Sequence, residues 1–139
     1  MSKHEPQRKL RSMDQERAEF ALGKIEQIAH KSPDAVQIEV RRYLNSLPAL
    51  IRMNGLGQAL AFYRTKDTDG HQMIYQMVGA WLCDASSKGR VFVGEGDVIA
   101  AITRNDIHLY MAAQNEALAL LEWLKKFALA FLKKEETPV

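Results

Sequence analysis

Apolar residues recur every three or four positions along most of the chain, and this period predicts helices. The longest such segment runs from Asp106 to Lys134, where the apolar residues are too numerous for a single stripe. We therefore predict a long C-terminal helix that is buried on most sides and against which the other helices pack. Asn105 or Asp106 is its expected N-cap, and Lys133 and Lys134 suit the negative end of the helix dipole.

The beginning of the chain predicts two consecutive helices. Ser12 and Gln15 have capping-box spacing, and the helix that they start ends near Lys31. Ser32 and Pro33 then provide a cap and a first-turn proline for a second helix. Because so few residues separate the two helices, we expect them to form an antiparallel hairpin.

Pro48 predicts a kink or break in the second helix, because proline lacks a backbone N–H and disfavours helical backbone at the preceding residue. Beyond it we predict two short helical pieces, over residues 48–54 and 56–65. Gly55, which follows an asparagine, is the expected stop between them.

The middle of the chain predicts two further helices. Asp69 is the expected cap of the first, with Gln72 as its capping-box partner, and this helix stops at the loop of residues 86–89. Residues 91–93 are β-like but have no partner strand, so we expect an extended segment packed on the core. Asp97 then caps a short helix that leads to the last one.

These patterns together predict an all-α protein, a compact single-domain bundle of about six helices over residues 12–134 with tails at 1–11 and 135–139. The 139 residues contain 47% hydrophobic and 26% charged residues and carry a net charge of +2, so any nucleic-acid surface has to be a local patch. The single cysteine, Cys83, indicates a reducing, cytoplasmic location. No apolar run predicts a membrane span, and the basic N-terminus is not a secretory signal.

Motifs for enzyme chemistry are absent from the sequence. The four histidines have no metal-site spacing, no nucleophile motif occurs, and the Gly55–Gly57 pair lacks the rest of a phosphate-binding loop. We therefore expect no catalytic activity, no metal and no cofactor. Dispersed Lys and Arg residues remain, which can bind phosphate backbones without reading sequence, although such charges are also typical of a solvated helix surface.

Two stretches then resemble a known family. They are YLNSLPALIRMNGLGQALAF, residues 43–62, and EALALLEWLKKFA, residues 116–128, and Arg17 and Tyr110 also fit the pattern. The chain is similar to the small subunits of the type III-B CRISPR effector, the Cmr complex. The resemblance implies a non-catalytic helical subunit that stacks in more than one copy beside the backbone and large subunits and contacts guide and target RNA.

The resemblance and the charge pattern indicate the same candidate residues. Trp123 is expected to pack within the protein, because a platform for stacking bases needs an exposed ring. The alternative function is a protein-binding adaptor without direct nucleic-acid contact, while a helix-turn-helix DNA binder is disfavoured because no basic recognition helix follows a short turn. The candidates for RNA backbone contact are Arg17, Arg52, Arg64, Lys66, Lys125 and Lys126.

Overall fold

The computed structural model describes residues 10–136, and every regular element in that range is an α-helix. This confirms the predicted all-α class and the count of six helices. The parts of the predicted tails at residues 1–9 and 137–139 lie outside the described residues. The helices in chain order are α1 Met13–Lys31, α2 Asp34–Asn54, α3 Leu56–Arg64, α4 Asp69–Cys83, α5 Val98–Arg104 and α6 Ile107–Phe131.

Helix α6 is the element that most of the bundle contacts. It packs extensively against α1 and α2, while α4 packs on α2 and, more lightly, on α6. Helices α1 and α2 follow one another through a short turn as predicted, but each packs mainly on α6 rather than on the other. Helices α2 and α6 run antiparallel, since Gln37 bonds to Lys133 at one end and Leu56 bonds to Gln114 near the other.

Helix α6 is the long buried C-terminal helix that the sequence predicts, although its last residues are exposed. The helix begins after Asp106, whose side chain accepts from the N–H of Leu109, but it ends at Phe131 rather than Lys134. Leu129 and Phe131 near its end are exposed, but between residues 113 and 128 only the ridge of Asn115, Glu122 and Lys126 is exposed, so the middle of the helix is buried or half-buried on most sides as predicted. Its fully buried residues are Ala113, Ala117, Leu120, Leu121, Leu124 and Ala128.

Helix α2 continues through Pro48, so the predicted break and the separate piece at 48–54 are wrong. Proline removes one hydrogen bond to the preceding turn and disfavours helix, a cost of about 3 kcal/mol. Leu44, Leu47 and Ile51 are all fully buried on this segment, and Pro48 itself is buried. Burial of three large apolar side chains, at roughly 1.5 to 3 kcal/mol each, outweighs the lost bond.

The helix starts test the capping predictions directly. Ser12 and Gln15 form the complete predicted capping box, and the side chain of Asp97 accepts from the N–H of Ala100 as predicted. The predicted cap Asp69 is wrong, because the Thr68 side chain accepts the N–H of His71 and α4 begins at Asp69. A hydroxyl and a carboxylate are both good caps, so the sequence alone did not separate these two neighbours.

The predicted Ser32 cap of α2 is also wrong. Ser32 instead terminates α1, donating its N–H to the carbonyl of Ile28, and the extended residue Pro33 precedes α2. The buried amide of Gln37 holds this turn, since its Nε2 donates to the carbonyls of Ala29 and Ser32 while its Oε1 accepts the N–H of Lys133. One buried side chain therefore ties α1, α2 and the end of α6 together.

The segment between α4 and α5 packs on the core without forming a strand. The N–H groups of Val91 and Phe92 both donate to the carbonyl of Leu82. Phe92 is fully buried and Val93 is exposed, which agrees with the predicted extended segment packed on the core.

Candidate nucleic-acid interface

Arg17 lies inside a hydrogen-bonded clasp between α1 and α6. Its Nε and Nη2 donate to the two carboxylate oxygens of Glu116 at 2.6 and 2.9 Å, and its Nη1 lies 3.3 Å from Asp14. The Nε1 of Trp81 donates to the same Glu116 carboxylate at 3.0 Å. The Arg17 side chain is 19% exposed and that of Glu116 is 13% exposed. The clasp therefore uses the donors that a phosphate contact would need.

Trp123 completes the same junction. Its Nε1 donates to Asp14 at 3.0 Å, and its ring packs on Phe127 with centroids 5.5 Å apart. The bond from Trp123, reinforced by Arg17, lowers the pKa of the Asp14 carboxyl below its ordinary value, because both partners favour the ionised form. The structure places Trp123 in the predicted packing role.

Arg52 and Lys126 meet at one exposed carboxylate. Arg52 Nη2 lies 3.8 Å from one oxygen of Glu122, and Lys126 Nζ lies 3.9 Å from the other. All three side chains are at least half exposed. Such long, solvated ion pairs contribute roughly 0 to 1 kcal/mol, so they bind these two cations weakly. Lys125 is half-buried on α6 beside Lys126 and makes no ion pair within residues 10–136.

The surface where α2 meets α6 carries further cations that our candidate set missed. Arg41, Arg42 and Lys134 line one cleft there. Ile38 and Asn45 line it too, so the α2 residues of the cleft lie three, four and seven positions after Ile38. That spacing was the available signal, because it puts the adjacent arginines on one side of the helix. We call this surface the α2–α6 face, with cations Arg41, Arg42, Arg52, Lys125, Lys126 and Lys134.

Arg64 and Lys66 form a separate group at the end of α3. Arg64 Nη1 donates to Gln72 at 3.4 Å, and its guanidinium carbon lies 5.8 Å from the centre of the Tyr75 ring. Lys66 Nζ lies 4.5 Å from the centre of the Phe62 ring. Both cations lie over aromatic rings, and no ion pair within residues 10–136 neutralises either one.

The glycine-rich stretch between α2 and α3 is a helix junction rather than a phosphate loop. The N–H of Leu56 donates to Gln114 Oε1 at 2.9 Å, and that of Gly57 donates to the Tyr110 hydroxyl at 3.1 Å. Side chains of α6 thus cap α3, whose own N-cap has no side chain. Gly55 has φ +85°, and a Cβ there would lie 2.8 Å from the Tyr110 hydroxyl, so only glycine fits.

Burial raises the pKa of the Cys83 thiol to about 11, which keeps it protonated and unreactive at neutral pH. Residues 10–136 contain no cluster of three His, Cys, Asp or Glu side chains able to hold a metal ion. Over the same range, no helix combines the length and the apolar character that crossing a membrane requires.

The comparisons with known proteins identify the family of the chain. A family model described as CRISPR-associated protein (Cas_Cmr5) matches residues 13–131. This chain belongs to the Cas_Cmr5 family. The crystal structure of a CRISPR-associated Cmr5 family protein from Thermus thermophilus is 26% identical in sequence, with a TM-score of 0.68, and the match covers 89% of this chain and 100% of that one.

Family membership confirms the resemblance found in the sequence and makes the chain a CRISPR-associated Cmr subunit. The Cas_Cmr5 match spans all six helices, both motif stretches and each of the six predicted RNA-contact residues. The junction of Gly55 with Tyr110 and the Trp123 contact on α1 give three of the family-like positions structural roles. RNA contact at the six cations stays a prediction.

Proposed function

We propose that this chain is a non-catalytic, cytoplasmic subunit that scaffolds a type III-B Cmr effector complex and contacts the backbone of guide and target RNA in antiviral defence. Its partners are the backbone and large subunits of that complex and further copies of itself. Cas_Cmr5 membership supports the assembly, and the proposed absence of catalysis accords with the unreactive Cys83.

The cation-rich α2–α6 face is the observation that carries the RNA contact. Six cations lie there, and among the described residues their carboxylate partners are Glu122 and Glu135. The net charge of the whole chain is only +2, so the positive charge on this face is higher than the net charge indicates. A polyphosphate chain binds to such a surface through charge and releases counterions, without a base code.

The structure also divides the six predicted residues by how available they are. We propose Arg52, Lys125 and Lys126 as the principal phosphate contacts and Arg64 with Lys66 as a second group. Arg17 remains in the proposal only as a positioning residue, because its guanidinium already holds Glu116 and Asp14. Its neutralisation would act through the fold rather than through lost phosphate contact.

The experiment compares RNA binding by reassembled complexes at several salt concentrations. One complex carries Arg52→Gln, Lys125→Gln and Lys126→Gln together. We expect the slope of log affinity against log salt to fall by up to about three units, roughly one per lost contact. The loss should be equal for different guide sequences, because phosphate contacts carry no base information.

A charge-matched control removes one arginine and two lysines elsewhere. Lys31, Lys88 and Arg90 are exposed and lie outside the α2–α6 face, so their change to Gln should leave the slope unaltered. Assembly is checked separately by size-exclusion chromatography. Intact assembly with equal slopes for both triple variants would remove the RNA contact and leave the protein-binding adaptor as the function.

A further inference from the structure

Arg41 is the one side chain on the α2–α6 face whose polar atom is buried without a partner among the described residues. Its Nε is inaccessible to solvent and makes no hydrogen bond to any residue between 10 and 136. A buried donor left unpaired costs roughly 1 to 3 kcal/mol, so native proteins usually satisfy such groups with a protein atom, a water or a ligand. The Arg41 side chain as a whole is only half-buried and lines a cleft, so a small turn of its guanidinium would bring this N–H to an acceptor from outside the chain.

The orphaned group borders a cleft of about 220 Å³ between α2 and the end of α6. Arg42 and Lys134 provide two more cations at the cleft, and Asn45 provides an amide. Glu135 is the acid at the site, and it lies 2.9 Å from Arg42 Nη2 as an exposed ion pair. Three cations and one carboxylate therefore line the cleft, and among the described residues only Arg42 pairs with that carboxylate.

We propose that this cleft is a phosphate-binding site in which a phosphate oxygen accepts from Arg41 and Arg42 and replaces the Glu135 carboxylate. Guanidinium groups present planar pairs of donors that match phosphate oxygens, and Lys134 adds a further charge. The Asn45 amide supplies a neutral donor. The proposal rests on the proposed RNA contact and extends it, because an RNA phosphodiester is one source of the phosphate group and free phosphate is the other.

Glu135 has a specific part in this arrangement. Its carboxylate partly neutralises Arg42 and occupies the acceptor position at the rim. An exposed pair of this kind contributes little stability, so an incoming phosphate that contacts both arginines can displace it. Glu135, in the segment after α6, therefore competes with phosphate for Arg42, and an RNA phosphate displaces its carboxylate on binding.

The first test titrates inorganic phosphate into the full-length chain and follows the arginine side-chain N–H resonances by NMR, with chloride at equal ionic strength as the reference. We expect the Arg41 and Arg42 signals to shift with phosphate and not with chloride. Arg41→Lys keeps the charge but loses the buried Nε donor, so phosphate affinity should fall about tenfold. Arg41→Lys binding phosphate as tightly as the unmodified chain would overturn the site.

The second test uses two substitutions that remove the same charge. Glu135→Gln should strengthen phosphate binding several-fold, because the competing carboxylate is gone. Glu136→Gln, on an exposed neighbour that forms no ion pair within residues 10–136, should change affinity by less than about twofold. Equal strengthening by both variants would overturn the competition, because the effect would then be one of net charge.

A short single-stranded RNA distinguishes the two sources of phosphate. If RNA shifts the same Arg41 and Arg42 signals, a phosphodiester occupies the cleft. If only inorganic phosphate shifts them, the link between this cleft and RNA is overturned. These results are independent of the salt slopes that test Arg52, Lys125 and Lys126 in the assembled complex, so failure of either proposal is distinguishable from failure of the other.

Discussion

Glu116→Gln tests the clasp that holds α1 on α6. The change keeps the size of the side chain, but it removes the charge and replaces one acceptor oxygen with an NH2 group facing the donors of Arg17 and Trp81. Hydrogen bonds to charged groups contribute roughly 1.5 to 3 kcal/mol each, and loss of one partner from a buried pair costs about 3 to 5 kcal/mol. Because both the Arg17 and Glu116 side chains keep some exposure, we expect a loss of about 2 to 3 kcal/mol.

Thermal and urea unfolding of the full-length chain measure this loss. For a domain of this size, about 1 kcal/mol corresponds to several degrees in Tm, so the variant should melt roughly 6 to 15 °C lower. Glu135→Gln is the matched control, since it removes an acid that also pairs with an arginine but at an exposed position. We expect that control to change the free energy of unfolding by less than about 0.5 kcal/mol.

Equal melting of Glu116→Gln and Glu135→Gln would refute the reasoning, because it would mean that the clasp contributes no more than a surface ion pair. Such a result would also return Arg17 to the set of available phosphate contacts. Arg17→Gln then separates the two roles. If Arg17 acts through the clasp, this variant should melt at a lower temperature but bind RNA unchanged when binding is measured below that temperature.

Gly55 and His71 provide the remaining tests. Gly55→Ala should destabilise the fold by about 1 to 3 kcal/mol, because Gly55 has a positive φ and a Cβ there would clash with Tyr110. Gly23→Ala, at an open helical position, should stabilise the fold by roughly 0.5 to 1 kcal/mol. Urea unfolding of both variants measures these two free energies, which have opposite signs. Burial and Lys66 lower the pKa of His71 below 6.5, so the unfolded chain binds more protons as pH falls below that value. Stability should therefore decline as the pH falls below 6.5, and the melting temperature should depend less on pH in His71→Gln.

Much of the fold could be predicted because local signals decide it. The capping box at Ser12 and the caps at Asp97 and Asp106 bond to backbone groups within three residues, so they depend on nothing distant. Helical periodicity likewise predicted the six helices. The wrong prediction at Pro48 has a tertiary cause, since burial of its neighbours offsets the missing bond and no local pattern measures that burial.

The candidate site was harder to predict for the same reason. Charge and spacing identified Arg17 and Arg52 alike, but partners distant in sequence determine which one is available. Glu116 lies 99 residues from Arg17, so its partnership is not visible in a local pattern. The unpaired Nε of Arg41 could not be predicted from the sequence either, because a donor is known to lack a partner only when all of its neighbours are known.

The capping of α3 by α6 has a consequence for synthesis of the chain. The backbone N–H groups of Leu56 and Gly57 donate to Gln114 and Tyr110, which the ribosome adds more than fifty residues later. Arg17 likewise meets Glu116 only when the last helix emerges. Contacts between the beginning and the end of a chain delay folding, because the intervening segment has to be ordered before they form. The nascent first half therefore exposes the apolar surface that packs on α6 until α6 has been synthesised.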